Sequence, residues 1–105
     1  MARRTLLTPD QLSDALAELS GWAGDVQGVH RRMTGIDFRT AAGHVAALAD
    51  IADALDHHPE VEIGSGSLIV HLITHSADGV TELDVEFAHR FDAHLDDRTD
   101  EAAWR

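Results

Sequence analysis

The sequence predicts an α+β fold in the order α-β-β-α-β-β-α, an antiparallel sheet carrying its helices on one face. Three observations predict it. Three segments space their apolar residues at the helical period behind recognisable caps. The stretches between them are β-rich and broken by short polar or glycine-containing turns. Two hairpins interrupted by helices are the arrangement of an α+β domain rather than of an alternating α/β one. With 105 residues the chain makes a single domain over residues 1–105, large enough for one modest core.

The first helix opens at Thr8 as N-cap, with Pro9 at the first helical position and Gln11 three residues after the cap. Leu7 can staple to Leu12; Leu12, Ala15, Leu16 and Leu19 make one stripe, and Gly21 is expected to stop the helix. A hairpin follows, Trp22 to Asp25 and Val29 to Ile36, turning at Asp25–Gly28. The second helix is expected from about Phe38 to His57, capped by Asp37, with Phe38, Ala41, Ala42, Val45, Leu48, Ala49, Ala52 and Leu55 at helical spacing. Its many alanines allow close approach to a sheet, and Pro59 marks the exit. Val61 to Ile63 reads as a short strand, Gly64 to Ser67 as a tight turn, and Leu68 to His75 as a longer strand. The third helix is expected from Thr81, with Asp84 at its third position, Leu83, Phe87, Ala88, Phe91 and Leu95 buried, and an end near Asp97. Residues 1–6 and 98–105 are expected as loose ends.

Composition excludes several classes. The absence of cysteine removes disulfides, thiolate nucleophiles and every Cys-based metal site. Eight basic residues against nineteen acidic ones give a net charge of -11, which disfavours direct binding of nucleic acid. No apolar run approaches the roughly 20 residues of a membrane helix. Met1 to Arg4 is not followed by a signal-peptide stretch, so the expected location is cytoplasmic.

Eight histidines in so short a chain draw the search for chemistry. His57 and His58 end the second helix before Pro59, and His75 ends the long strand; if both hairpins share one sheet, the three can converge. Asp53, four residues before His57, would share its helical face and could orient the imidazole. Each has a plainer reading. Histidine in a last helical turn complements the dipole, a strand-end histidine is commonly surface, and Asp84 has a capping role. His30, His44, His71, His89 and His94 read as structural or surface residues. A metal site competes, as in a metal-dependent hydrolase, but adjacent histidines project about 100° apart on a helix, and no HExxH pattern exists. Gly64-Ser65-Gly66-Ser67 lacks the lysine and following helix of a phosphate loop. No nucleophile elbow, paired catalytic carboxylates or dinucleotide fingerprint is present.

Asp53-Ala54-Leu55-Asp56-His57-His58-Pro59-Glu60, followed by Thr74-His75, Gly79 and Asp84, resembles the signature of the pterin-4a-carbinolamine dehydratases. The resemblance extends through Leu7-Thr8, Gly21-Trp22, Arg31, Asp37-Phe38 and Thr81-Glu82, and so covers nearly the whole chain. It departs at Ser65-Gly66, where the family carries an aromatic residue, often followed by Asn, that could pack beside or line the site. The resemblance implies a four-stranded antiparallel sheet with three helices on one side, and a lyase that dehydrates a 4a-hydroxytetrahydropterin in tetrahydrobiopterin recycling, with no cofactor. It implies His57 and His75 as the acid/base pair, with His58 binding and polarising the pterin. Asp53 and Asp84 would support them, and Pro59, Glu60 and Thr74 would contribute to substrate binding. Imidazoles suit this chemistry, since they exchange protons near neutral pH. A homodimer or homotetramer is implied as well. The alternative on the same fold is a non-catalytic oligomerisation or assembly-factor module.

Overall fold

The computed structural model describes residues 4–103, with side chains described through residue 96. Its elements are α1 (Pro9–Ala17), β1 (Trp22–Asp25), β2 (Gly28–Thr34), α2 (Phe38–Leu55), β3 (Glu60–Gly64), β4 (Ser67–Leu72), a 3-10 turn at His75–Ala77, and α3 (Glu82–Ala103). The four strands form one antiparallel sheet in the order β1-β2-β4-β3. The α-β-β-α-β-β-α reading of the sequence is the fold.

Local chemistry explains the boundaries. At α1 the capping box closes: Gln11 N–H donates to Thr8 Oγ1 at 3.1 Å and Thr8 N–H to Gln11 Oε1 at 2.9 Å. The helix ends at Ala17 rather than running to Gly21, and turn bonds from Leu19 N–H to Leu16 and Trp22 N–H to Leu19 lead into β1. Gly21 serves a different need, because a Cβ there would collide with the Arg31 guanidinium. That guanidinium pairs with Asp92 Oδ1 at 3.0 Å, which also accepts from Trp22 Nε1–H at 2.9 Å. β2 stops at Thr34, two residues before the expected Ile36, where Gly35 takes a positive φ of 72°.

Asp37 caps α2 by accepting from Thr40 N–H at 2.7 Å, and hydrogen bonding to Thr40 holds its carboxyl below the ordinary range. The buried side of α2 is Ala41, His44, Leu48 and Ala52, whereas the expected stripe residue Phe38 is 64% exposed. Its C-terminus differs from expectation in a way that matters for the site. Asp56 turns left-handed at φ 50°, ψ 49°, so α2 ends at Leu55 and His57 lies outside the helix.

β4 ends at Leu72, not at His75. Thr74 instead bridges Gly79, exchanging backbone bonds of 2.9 and 3.4 Å, and closes a loop in which His75 opens a 3-10 turn and Asp78 is left-handed at φ 60°. α3 continues to Ala103, beyond the expected end near Asp97, so residues 98–103 are helical rather than loose. The N-terminal expectation fails too: Leu6 bridges Thr81 and Leu7 N–H donates to Val80 O at 3.0 Å. Residues 1–3, 104 and 105 of the expected loose ends lie outside the described residues.

The sheet alternates as a one-sided sheet should. Val29, Leu68, Val70 and Leu72 are buried and join Leu12, Leu19, Trp22, Leu48, Phe87 and Phe91 in one core. The alternate positions, including His30, His71, Glu60 and Glu62, face away from the helices. No helix of the described residues is long and apolar enough to cross a membrane.

Candidate active site

The left-handed turn at Asp56 swings the chain off α2, and Pro59 holds His58 away from helical conformation. His57 N–H bonds back to Ala52 O at 3.1 Å while its side chain turns inward, so the residue is 6% exposed. It meets α3 there. His57 Nε2 lies 2.6 Å from Asp84 Oδ1, and the ring edge packs at 70° to Phe87, centroids 6.4 Å apart.

Asp84 sits in the first turn of α3 and is fully buried. Its second oxygen, Oδ2, accepts from Thr81 N–H and from Thr74 Oγ1–H, each at 2.9 Å. A carboxylate only accepts, so His57 must donate from Nε2. In the neutral ring that places the hydrogen on Nε2 and leaves Nδ1 as the nitrogen able to take or release a proton. The arrangement resembles the carboxylate-oriented imidazole of many acid/base enzymes, in which the carboxylate sets the tautomer.

The same two segments touch again at their exposed ends. His75, next to Thr74, places Nε2 3.3 Å from Oε1 of Glu60, three residues past His57; both side chains are mostly exposed, at 73% and 67%. The segment from His57 to Glu60 is thus tied to Thr74-His75 twice, inside through Asp84 and outside through Glu60. An open cleft of about 620 Å³ on the helix-free face of the sheet begins at Glu60 and His75 and runs past Glu62, His71 and His30 to Gln27. His57 and His58 are not among its lining residues.

The implied site residues therefore fall into three groups. His57, Thr74 and Asp84 converge in the interior, and His75 and Glu60 meet at the rim of the cleft. His58 and Asp53 are exposed, Pro59 is half-buried, and no described contact joins Asp53 to His57. The helical face on which Asp53 was expected to orient His57 ends at Leu55, and Asp84 holds the ring instead. Thr81, expected only as the start of the third helix, is part of the same network through the 2.8 Å contact of its hydroxyl with Thr74 Oγ1. The Thr-x-x-Asp spacing was a visible signal of reciprocal capping, but not of the histidine beyond it. His71, expected as a structural or surface residue, pairs with Glu62 at 2.6 Å, and its ring lies tilted at 38° to that of His30, centroids 6.0 Å apart, within the cleft. Ser65-Gly66 forms the tip of the β3–β4 hairpin, with Gly66 at φ 89°, at the opposite end from Glu60. Ser65 is about 16 Å along the strand from Glu60, too far for a residue there to reach the Glu60–His75 rim of the same chain. Among the described residues no group of three or more histidines and carboxylates is placed to hold a metal ion.

The sequence model of the family described as pterin 4 alpha carbinolamine dehydratase matches residues 5–94. The chain belongs to the pterin-4a-carbinolamine dehydratase family. A Sulfurisphaera tokodaii protein provisionally named as such a dehydratase is 35% identical over 89 residues, covering 85% of this chain and 96% of its own. A Brucella ovis protein with the same provisional name is 39% identical over 92 residues, covering 86% and 95%. The crystal structure of a Brucella melitensis protein described as a transcriptional coactivator/pterin dehydratase superposes with a TM-score of 0.77 at 39% identity, over 83% of this chain and 95% of that one. A pterin dehydratase-like protein described as a RuBisCO assembly factor of the α-carboxysome shares the fold, with a TM-score of 0.54 at 20% identity over 69% and 83% of the two chains. The match to the pterin-4a-carbinolamine dehydratase family spans both hairpins and the whole stretch from Asp53 to Asp84.

Proposed function

We propose that the chain is a hydro-lyase that dehydrates 4a-hydroxytetrahydropterin to quinonoid dihydropterin by histidine acid/base catalysis, within tetrahydrobiopterin recycling. The observation that carries this reading is the His57–Asp84 bond, which commits one ring nitrogen to a buried carboxylate and leaves the other for proton exchange. The reaction asks for little else. One group protonates the 4a-hydroxyl so that the C4a–O bond breaks and water leaves; another takes a proton from the pterin ring as the C=N bond forms. No electrons are exchanged with a third species. Family membership supports the pterin as substrate.

In this reading His57 and His75 exchange the two protons, His58 binds and polarises the pterin, and Glu60 holds His75. The cleft that starts at Glu60 and His75 is the entry route. A positioned acid or base contributes roughly 10²–10⁴-fold in rate. A homodimer or homotetramer and a cytoplasmic location complete the proposal.

The test is the dehydration of chemically generated 4a-hydroxytetrahydropterin, followed by ultraviolet absorbance. The purified chain is expected to accelerate it well above the uncatalysed rate. A folded sample with no acceleration overturns the enzymatic reading in favour of a non-catalytic module on the same fold.

A further inference from the structure

Two hydroxyls beside the site have no part in the proposed chemistry. Thr74 is 1% exposed and Thr81 is wholly buried, so neither reaches solvent or a ligand in the cleft. Their hydrogens can be assigned by counting. Thr74 has one hydroxyl hydrogen, and it goes to Asp84 Oδ2 at 2.9 Å. The 2.8 Å contact between Thr74 Oγ1 and Thr81 Oγ1 must then be donated by Thr81. Thr81 Oγ1 in turn accepts from Leu83 N–H at 3.3 Å. Every hydrogen in the chain points the same way: Leu83 to Thr81, Thr81 to Thr74, Thr74 to Asp84.

We infer that Thr74 and Thr81 are positioning residues: they fill Oδ2 of Asp84 with donors, turn Oδ1 toward His57, and so hold the imidazole with its hydrogen on Nε2 and its Nδ1 free for proton transfer. A carboxylate can rotate about its Cβ–Cγ bond, and an imidazole can flip or change tautomer; the hydrogen bond made by one nitrogen decides the state of the other. The backbone N–H of Thr81 alone gives Oδ2 one donor. The Thr74 hydroxyl supplies the second, and Thr81 prevents that hydroxyl from turning away. This assigns Thr74 a role different from the substrate contact implied by resemblance. The catalytic consequence rests on the dehydratase reading, but the tautomer does not.

The experiment is ¹⁵N NMR of the histidine-labelled full chain at a pH where the His57 ring is neutral, combined with dehydration kinetics. The variants are Thr74→Val and Thr81→Val, each with its Ser counterpart. The unmodified chain should show one His57 tautomer, protonated on Nε2. Thr74→Val should give averaged nitrogen shifts and a kcat lower by about ten- to a hundredfold, with KM nearly unchanged, and Thr74→Ser should restore both. Thr81→Val should do the same to a smaller extent, reversed by Thr81→Ser. If the Val variants do not fold, Thr74→Cys carries the test, because its thiol is a weak donor: it must show the averaged pattern while Thr74→Ser does not. A valine or cysteine variant that keeps the single Nε2–H tautomer overturns the inference. A wild type without dehydratase activity, but whose tautomer is lost in Thr74→Val, overturns the dehydratase reading and leaves the positioning role standing.

Discussion

His57 and Asp84, 27 residues apart in sequence, meet at 2.6 Å with side chains that are 7% and 0% exposed. Their contact ties the segment after α2 to the first turn of α3 and makes a surface-type sequence motif into an interior one. Stability and, in the proposed reaction, proton chemistry therefore depend on the same bond.

Asp84→Ala removes the acceptor of three donors at once, His57 Nε2–H, Thr74 Oγ1–H and Thr81 N–H. Stranding buried polar groups is costly, so the variant is expected to lose about 3 kcal/mol or more in urea denaturation. A loss under about 1 kcal/mol would mean that the network is not formed in solution.

Asp53 should behave differently. It is exposed and outside the described contacts of His57, so Asp53→Ala is expected to change stability by no more than about 0.5 kcal/mol and to leave the His57 tautomer as it is. Histidine-selective NMR and denaturation on the same samples check both. A changed tautomer would restore Asp53 as the orienting group.

Ser65→Trp places an aromatic side chain at the β3–β4 hairpin tip, about 16 Å along the strand from Glu60. The dehydration rate is expected to stay within about twofold of the parent, since one end of this hairpin does not report on the other. A large gain in kcat/KM would show that the tip reaches the substrate, directly or through a second copy of the chain.

The α2 cap gives a pH signature. Hydrogen bonding to Thr40 lowers the Asp37 pKa below its ordinary value of 3.8. A lowered folded-state value means that the cap's contribution is complete above the ordinary carboxylate range and is lost as pH falls through the lowered value. Carboxyl ¹³C titration should show Asp37 titrating below 3.8, and Asp37→Asn should remove that step. A midpoint at or above 3.8 contradicts the cap.

Much of this architecture was legible because its signals are local. Thr8-Pro9 with Gln11, Asp37 with Thr40, and the turn glycine Gly66 each settle a boundary through a few neighbouring atoms. The errors came where a boundary depends on something distant or on an unusual backbone angle. Gly21 looked like a helix stop, but its lack of a side chain answers to Arg31 on the neighbouring strand. α2 ends two residues before the expected His57 because Asp56 adopts a left-handed conformation that only a minority of aspartates take. That shift decides the site, since it removes His57 from the face of Asp53 and delivers it to Asp84. The position of Asp84 as a cap was readable from Thr81, but its partner across 27 residues was not.

In the proposed reaction His57, held by Asp84, and His75, at the rim of the cleft, carry the protons of the dehydration. The most direct measurement compares turnover of 4a-hydroxytetrahydropterin by the parent chain, His57→Ala and His75→Ala, each confirmed as folded by circular dichroism. Each substitution is expected to lower kcat by about two orders of magnitude or more, with His57→Ala also less stable and His75→Ala as stable as the parent. A folded His57→Ala that retains full turnover would contradict the proposed role of His57.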